Sequence, residues 1–174
     1  MLPRFSGAYT FFTNSDDGVR LTVNGVQVIN NWTNHGNTEN SGVITLTAGV
    51  KYSVKMEYYE ATGGAVAKLL WSSAQQAKEI IPSGRLFPAS QSSCVASCSN
   101  KTCGSSNGCG GTCQFAVCNG LKGEYFSGTN FGALKLTRVD GNVAFDWGSG
   151  APDPLVGSDN FSVHWTGRVT PLLP

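Results

Sequence analysis

The chain has 174 residues, 40% hydrophobic and 13% charged, enough for one sizeable core with at most a small appendage. A formal net charge of +1 leaves no footprint for nucleic acid or a charged membrane surface, and no apolar run approaches a membrane span. Twenty-two glycines among aromatic and β-branched residues point to an all-β domain with many turns.

Met1-Leu2-Pro3-Arg4 lacks the positive segment and apolar core of a secretion signal. The first strand is expected at Tyr9–Phe12, where aromatic and β-branched residues suit a pleated, half-buried surface. Asn14-Ser15-Asp16-Asp17-Gly18 reads as a break, being a run of turn-forming residues. Val19–Val23 resumes as strand, Asn24-Gly25 is a hairpin turn, and Val26–Ile29 returns. Asp16 and Asp17 therefore stand at a loop tip between strands. Neighbouring side chains of an extended chain point to opposite faces, so this pair can share an ion only across a sharp kink such as a cis peptide. A hard cation such as calcium suits their oxygens, whereas the plainer reading is a solvated turn whose aspartates cap backbone amides.

Trp32–Ser41 is a polar loop. Trp32 either stacks on a ligand ring or covers the core, and His35, with no partner at a metal spacing, is expected to make a loop hydrogen bond. Val43–Leu46, a turn at Ala48-Gly49, and Tyr52–Glu60 form the next hairpin, with Tyr52, Val54, Met56 and Tyr58 alternating. Ala61-Thr62-Gly63-Gly64 is a small-residue loop before a strand at Ala65–Trp71. Gln75–Leu86 is expected to run out of the sheets.

The six cysteines, Cys94, Cys98, Cys103, Cys109, Cys113 and Cys118, fall within a Gly/Ser/Asn-rich stretch, 90–119. Their spacing, C-x3-C-x4-C-x5-C-x3-C-x4-C, fits zinc poorly, and too few apolar groups surround them to form a core. Three disulfides formed outside the cytoplasm are expected, among 15 possible connectivities. With no signal ahead of them, the chain reads as a fragment or a truncated reading frame.

YTFFTNSDDGVRLTVNG, then VINNWTNHG, then GVITLTAGVKYSVKMEYYEATGGAVAKLLW closely resemble the PA-fourteen domain, the β-sandwich module named for anthrax protective antigen. The resemblance implies an antiparallel β-sandwich. In lectin members, paired aspartates joined by a cis peptide hold a calcium ion that binds sugar hydroxyls, and a second loop adds a side-chain oxygen and carbonyls. Glu60 stands near that side-chain position, where flocculins use an amide. Residues 120–170, GLKGEYFSGTNFG through WTGRVTP, resemble the opening of the same family, although they follow its end here. Residues 1–89 and 120–174 are thus the C-terminal and N-terminal portions of one module, joined by the 90–119 linker. Either the sandwich is circularly permuted or the last segment is exchanged between chains, giving a monomer or a domain-swapped dimer. A linker of about 30 residues spans up to ~100 Å and does not forbid the first.

The leading expectation is a non-catalytic, extracellular carbohydrate-binding module from an adhesin or carbohydrate-active protein. Calcium would sit on Asp16, Asp17 and Glu60, with sugar contacts from Asp16, Asp17, Trp32, Thr62, Gly63 and Gly64. The alternative is a structural spacer or protein-interaction module without lectin activity. No catalytic motif is present, Asp140, Asp146, Asp153 and Asp159 offer no reason to choose a pair for glycoside hydrolysis, and Asp146-Trp147-Gly148-Ser149-Gly150 reads as a loop feature beside a core tryptophan.

Overall fold

A computed structural model describes residues 6–88 and 119–170. The strands are β1 (Gly7–Asp16), β2 (Val19–Val23), β3 (Val26–Asn31), β4 (Thr38–Leu46), β5 (Tyr52–Glu60) and β6 (Ala65–Ser73). They continue with β7 (Gln76–Ile80), β8 (Leu86–Pro88), β9 (Leu121–Ser127), β10 (Leu134–Asp140), β11 (Ala144–Gly148) and β12 (Phe161–Val169). Two antiparallel sheets face each other. One runs β11-β6-β1-β4, with β7 also on β6; the other runs β10-β9-β12-β5-β2-β3, with β8 also on β12. All six cysteines, and the disulfides expected of them, lie outside the described residues.

Both halves of the chain contribute to both sheets. β12 lies between β5 and β9, pairing Val163 with Tyr58 on one side and Tyr125 on the other. β11 borders β6, with Phe145 opposite Ala67. The segment after the cysteines is therefore structurally inseparable from the segment before them.

Alternation sets the core. Along β1, Tyr9, Phe11, Thr13 and Ser15 point inward and are fully buried, while the residues between them are partly exposed. Facing them are Tyr58, Phe161, Val163 and Trp165 of the other sheet, together with Trp71 beside Tyr9 at 5.5 Å. At the tip of the first hairpin Asn24 and Gly25 both have positive φ, 51° and 77°, as a two-residue turn between right-twisted strands requires.

One buried carboxylate ties three strands at the far side of the core. Asp140 Oδ2 accepts the Tyr125 hydroxyl at 2.6 Å and Trp165 Nε1 at 2.7 Å. Its Oδ1 accepts Arg138 Nε at 2.7 Å, and Arg138 Nη2 donates to the Tyr125 oxygen at 2.7 Å.

Three local expectations are corrected. β1 runs through Asn14-Ser15-Asp16 because it is paired on both sides, Ser15 opposite Thr38 on β4 and Ala67 on β6. Two ladders of backbone hydrogen bonds outweigh local turn preference there. Gln75–Leu86 does not leave the sheets, since β7 pairs with β6 and β8 with β12. Asp146-Trp147 is strand, not loop, and Trp147 stacks on Phe145 at 4.8 Å.

Candidate metal centre

The site forms where β1 ends, β5 ends and β12 begins. The Asp16–Asp17 peptide is cis. Asp16, Asp17 and Glu60 each offer a carboxylate oxygen, and these oxygens lie within 4.8 Å of one another. Glu60 is brought in by register, as the last residue of β5, opposite Phe161 of β12.

Backbone amides fix the cluster from two loops. Asp17 Oδ1 accepts the His35 amide at 2.8 Å and its Oδ2 accepts the Ala61 amide at 2.9 Å. Asp16 also accepts a backbone amide, that of Asn37. The Tyr58 hydroxyl donates to the Asp16 carbonyl at 2.5 Å and lies 3.3 Å from Glu60 Oε2. Gly18 must lack a side chain, because a Cβ there would come within 2.2 Å of the Tyr59 ring. Tyr59 in turn donates its hydroxyl to Asn34 Oδ1 at 2.7 Å, bracing the loop that carries His35. His35 Nδ1 lies 2.9 Å from the Gly36 carbonyl, the loop hydrogen bond expected of it.

The second loop is held from the other half of the chain. Asp159 Oδ1 accepts the Gly63 amide at 3.0 Å, and the Asn160 amide donates to the Ala61 carbonyl at 3.0 Å. Thr62, Gly63 and Gly64 are exposed, and Gly63 has φ of 108°. Asp16 Oδ2 faces Gly64, 3.5 Å from where its Cβ would lie. Nothing in the sequence around Asp159 marks this role except its place just before β12.

Electrostatically the cluster concentrates negative charge. Glu60 is fully buried and its Oε1 has no hydrogen-bond partner. Burial, then the charges of Asp17 and Asp16, push its carboxyl up to about 7. Burial and Asp17 likewise raise Asp16. Three convergent carboxylates, one with a buried unpaired oxygen, form an all-oxygen donor set that fits a hard divalent cation such as calcium. Each Asp17 oxygen keeps a lone pair free beside its amide bond.

Beside the site, Trp32 is half-buried between an edge contact to Tyr59 at 4.7 Å and a stack with Phe131 at 5.9 Å. The Arg20 guanidinium lies 4.0 Å over its ring. Trp32 thus packs in an aromatic group with Tyr59 and Phe131, the last absent from the expected site residues.

A family model described as the PA14 domain matches residues 1–85 and 118–172. The chain belongs to the PA14 domain family. It is 39% identical over 167 residues to the anti-sigma-I factor RsgI3 of Acetivibrio thermocellus, covering 96% of this chain and 23% of that protein. A solved anti-sigma factor domain-containing protein is 39% identical with a TM-score of 0.50, covering 94% of this chain and 49% of that one. Another, from Clostridium clariflavum, is 34% identical with a TM-score of 0.49, covering 94% of this chain and 50% of that one. The chain thus spans about a quarter of the curated relative's length and half that of the solved chains.

These relatives correct the leading functional expectation. The relatives that match over nearly the whole chain are an anti-sigma-I factor and an anti-sigma factor domain-containing protein, not adhesins or carbohydrate-active proteins. The lectin and adhesion readings fall, and carbohydrate falls as the partner expected at Asp16, Asp17, Trp32, Thr62, Gly63 and Gly64. One fold can host several functions, so resemblance to the family carried the fold further than the function.

Proposed function

We propose that this chain is a non-catalytic protein-interaction module of a larger anti-sigma-factor-type regulator. The observation that carries this is 39% identity to an anti-sigma-I factor across 96% of the chain. The four aspartates weighed for glycoside hydrolysis each have another role, which supports a non-enzymatic reading. Asp140 is buried in its hydrogen-bonded hub, Asp146 pairs with Lys68 at 3.5 Å, Asp153 accepts the Leu155 amide at 2.9 Å, and Asp159 holds Gly63. Trp32, Phe131 and Arg20 supply residue types enriched where proteins meet. A calcium ion on Asp16, Asp17 and Glu60 would order the loops beside that surface. The cysteine-rich joint argues for a place outside the cytoplasm, where the partner is a protein segment met on that side.

The test replaces the matching segment of the Acetivibrio thermocellus anti-sigma-I factor with this chain and follows a sigma-I-dependent reporter. Regulation should persist with the replacement and be lost or left constitutive when the segment is deleted. A reporter that responds identically with and without the segment would overturn the proposal.

A further inference from the structure

We infer that Asp159 and Asn160 are positioning residues for the cation site, so that the ion's second loop is set by the segment after the cysteines. The inference rests on the calcium reading of Asp16, Asp17 and Glu60. Loop Ala61–Gly64 has little to hold it by itself: Thr62, Gly63 and Gly64 are exposed, and two of its four residues are glycines. Its amide contacts outside its own strands run to two places. The Ala61 amide reaches Asp17, and the Gly63 amide reaches Asp159, 96 residues along the chain. Asn160 closes the clamp by donating to the Ala61 carbonyl at 3.0 Å, while its own carbonyl accepts the Gly128 amide at 2.7 Å. Asn160 has φ of 56°, a left-handed conformation that asparagine tolerates better than most residues.

The clamp decides which carbonyls can turn to the ion. That of Ala61 is fixed in direction by the Asn160 amide and keeps its second lone pair, while those of Thr62, Gly63 and Gly64 follow the orientation of the loop. Holding the Gly63 amide orients the peptides on either side of it, beside the Asp16 carboxylate that faces Gly64. Asp159 also adds its negative charge to those acting on Glu60, so charge and positioning must be separated.

Two variants of the full chain separate them. Asp159→Asn removes the charge but keeps an oxygen that accepts the Gly63 amide; Asp159→Ala removes both. Calcium affinity is measured by titration calorimetry, folding by melting in chelator, and Gly63 amide protection by hydrogen exchange. Outer-shell partners of metal sites typically carry about 10- to 100-fold in affinity. Asp159→Ala should lose roughly tenfold or more in affinity and the Gly63 protection, with little change in melting because Asp159 is exposed. Asp159→Asn should restore most of both. Equal affinity in all three proteins, or equal loss in both variants, would overturn the positioning role while the calcium reading stands. A wild-type chain that takes up no calcium would overturn the calcium reading itself, and the positioning role with it.

Discussion

Asp17 and Ala61, 44 positions apart in the chain, are joined by a carboxylate-to-amide hydrogen bond of 2.9 Å, and the other oxygen of the same carboxylate holds His35. One side chain thereby fixes the start of the second loop and the middle of the Trp32–Asn37 loop. It is only 5% exposed, so removing it strands two amides where little water reaches them. Asp17→Ala should destabilise the sandwich by about 2–4 kcal/mol, since two hydrogen bonds to a charged group, roughly 1.5–3 kcal/mol each, are lost while repulsion with Asp16 and Glu60 is relieved. Chemical denaturation would measure it, and loss of protection confined to the His35 and Ala61 amides would locate it. A turn-capping aspartate would cost about 1 kcal/mol.

A larger loss is expected at Asp140. Its carboxylate serves the Tyr125 hydroxyl, the Trp165 indole and the Arg138 guanidinium at once. Truncation would leave a partly buried cation and two buried donors without their acceptor. Asp140→Ala should cost about 3–5 kcal/mol, the range for breaking a buried pair by removing one partner. Urea denaturation monitored by Trp fluorescence reads this directly, because Trp165 is fully buried beside the carboxylate.

The all-β character and the buried strand faces were legible because inward residues repeat with period two, whereas the sandwich itself came from the family resemblance. Tyr9 and Phe11, and Val54, Met56 and Tyr58, are all buried, as their alternation implies. The Asn24-Gly25 turn was legible because few residue pairs accept two positive φ values. Asp16, Asp17 and Glu60 were named together only through family resemblance, since no local pattern links Glu60 to the pair. The extension of β1 to Asp16 was hidden, because it depends on β4 and β6 flanking it, and local composition says turn. Asp159 and Phe131 were hidden for a different reason. Each meets its partners, Gly63 and Trp32, across roughly 100 residues, a distance over which spacing carries no information.

The cation-free protein should show an unusual pH dependence from Glu60. Burial first, then Asp17 and Asp16, raise its carboxyl from 4.5 to about 7 in the fold. Between about pH 4.5 and pH 7 the folded chain therefore holds a proton that the unfolded chain has released. Its stabilisation is full below that window and is lost as pH rises through 7. His164 acts oppositely: burial lowers its pKa, so its contribution is lost as pH falls below 6.5. Glu60→Gln isolates the carboxylate. In chelator, the difference in stability between wild type and Glu60→Gln should change across pH 4.5 to 7, and a constant difference would contradict the shift.

Calcium should reverse that trend, because the ion binds the ionised carboxylates that otherwise repel one another. A ligand bound only by the folded state stabilises it by about 2.7 kcal/mol at a hundredfold excess over its dissociation constant. For a domain of this size that corresponds to a rise in melting temperature of roughly 5–10 °C. The rise should be greatest near pH 7 and above, where Glu60 has released its proton, and should shrink toward pH 5 as protons compete for the same oxygens. Asp16→Ala should abolish the calcium response while costing the fold less than Asp17→Ala, since Asp16 is only partly buried. Glu60→Gln should behave differently again. Removing a buried charge with an unpartnered oxygen relieves the cation-free protein, so this variant should melt at or above the wild-type temperature in chelator near pH 7 and yet respond weakly to calcium. Thermal melts of wild type and the three variants at pH 5 and pH 7.5, with calcium and with chelator, check every part of this. Wild-type curves that coincide with and without calcium at pH 7.5 would remove the ion from the site, and a Glu60→Gln protein that melts well below wild type in chelator would show that the carboxylate is already paired without it.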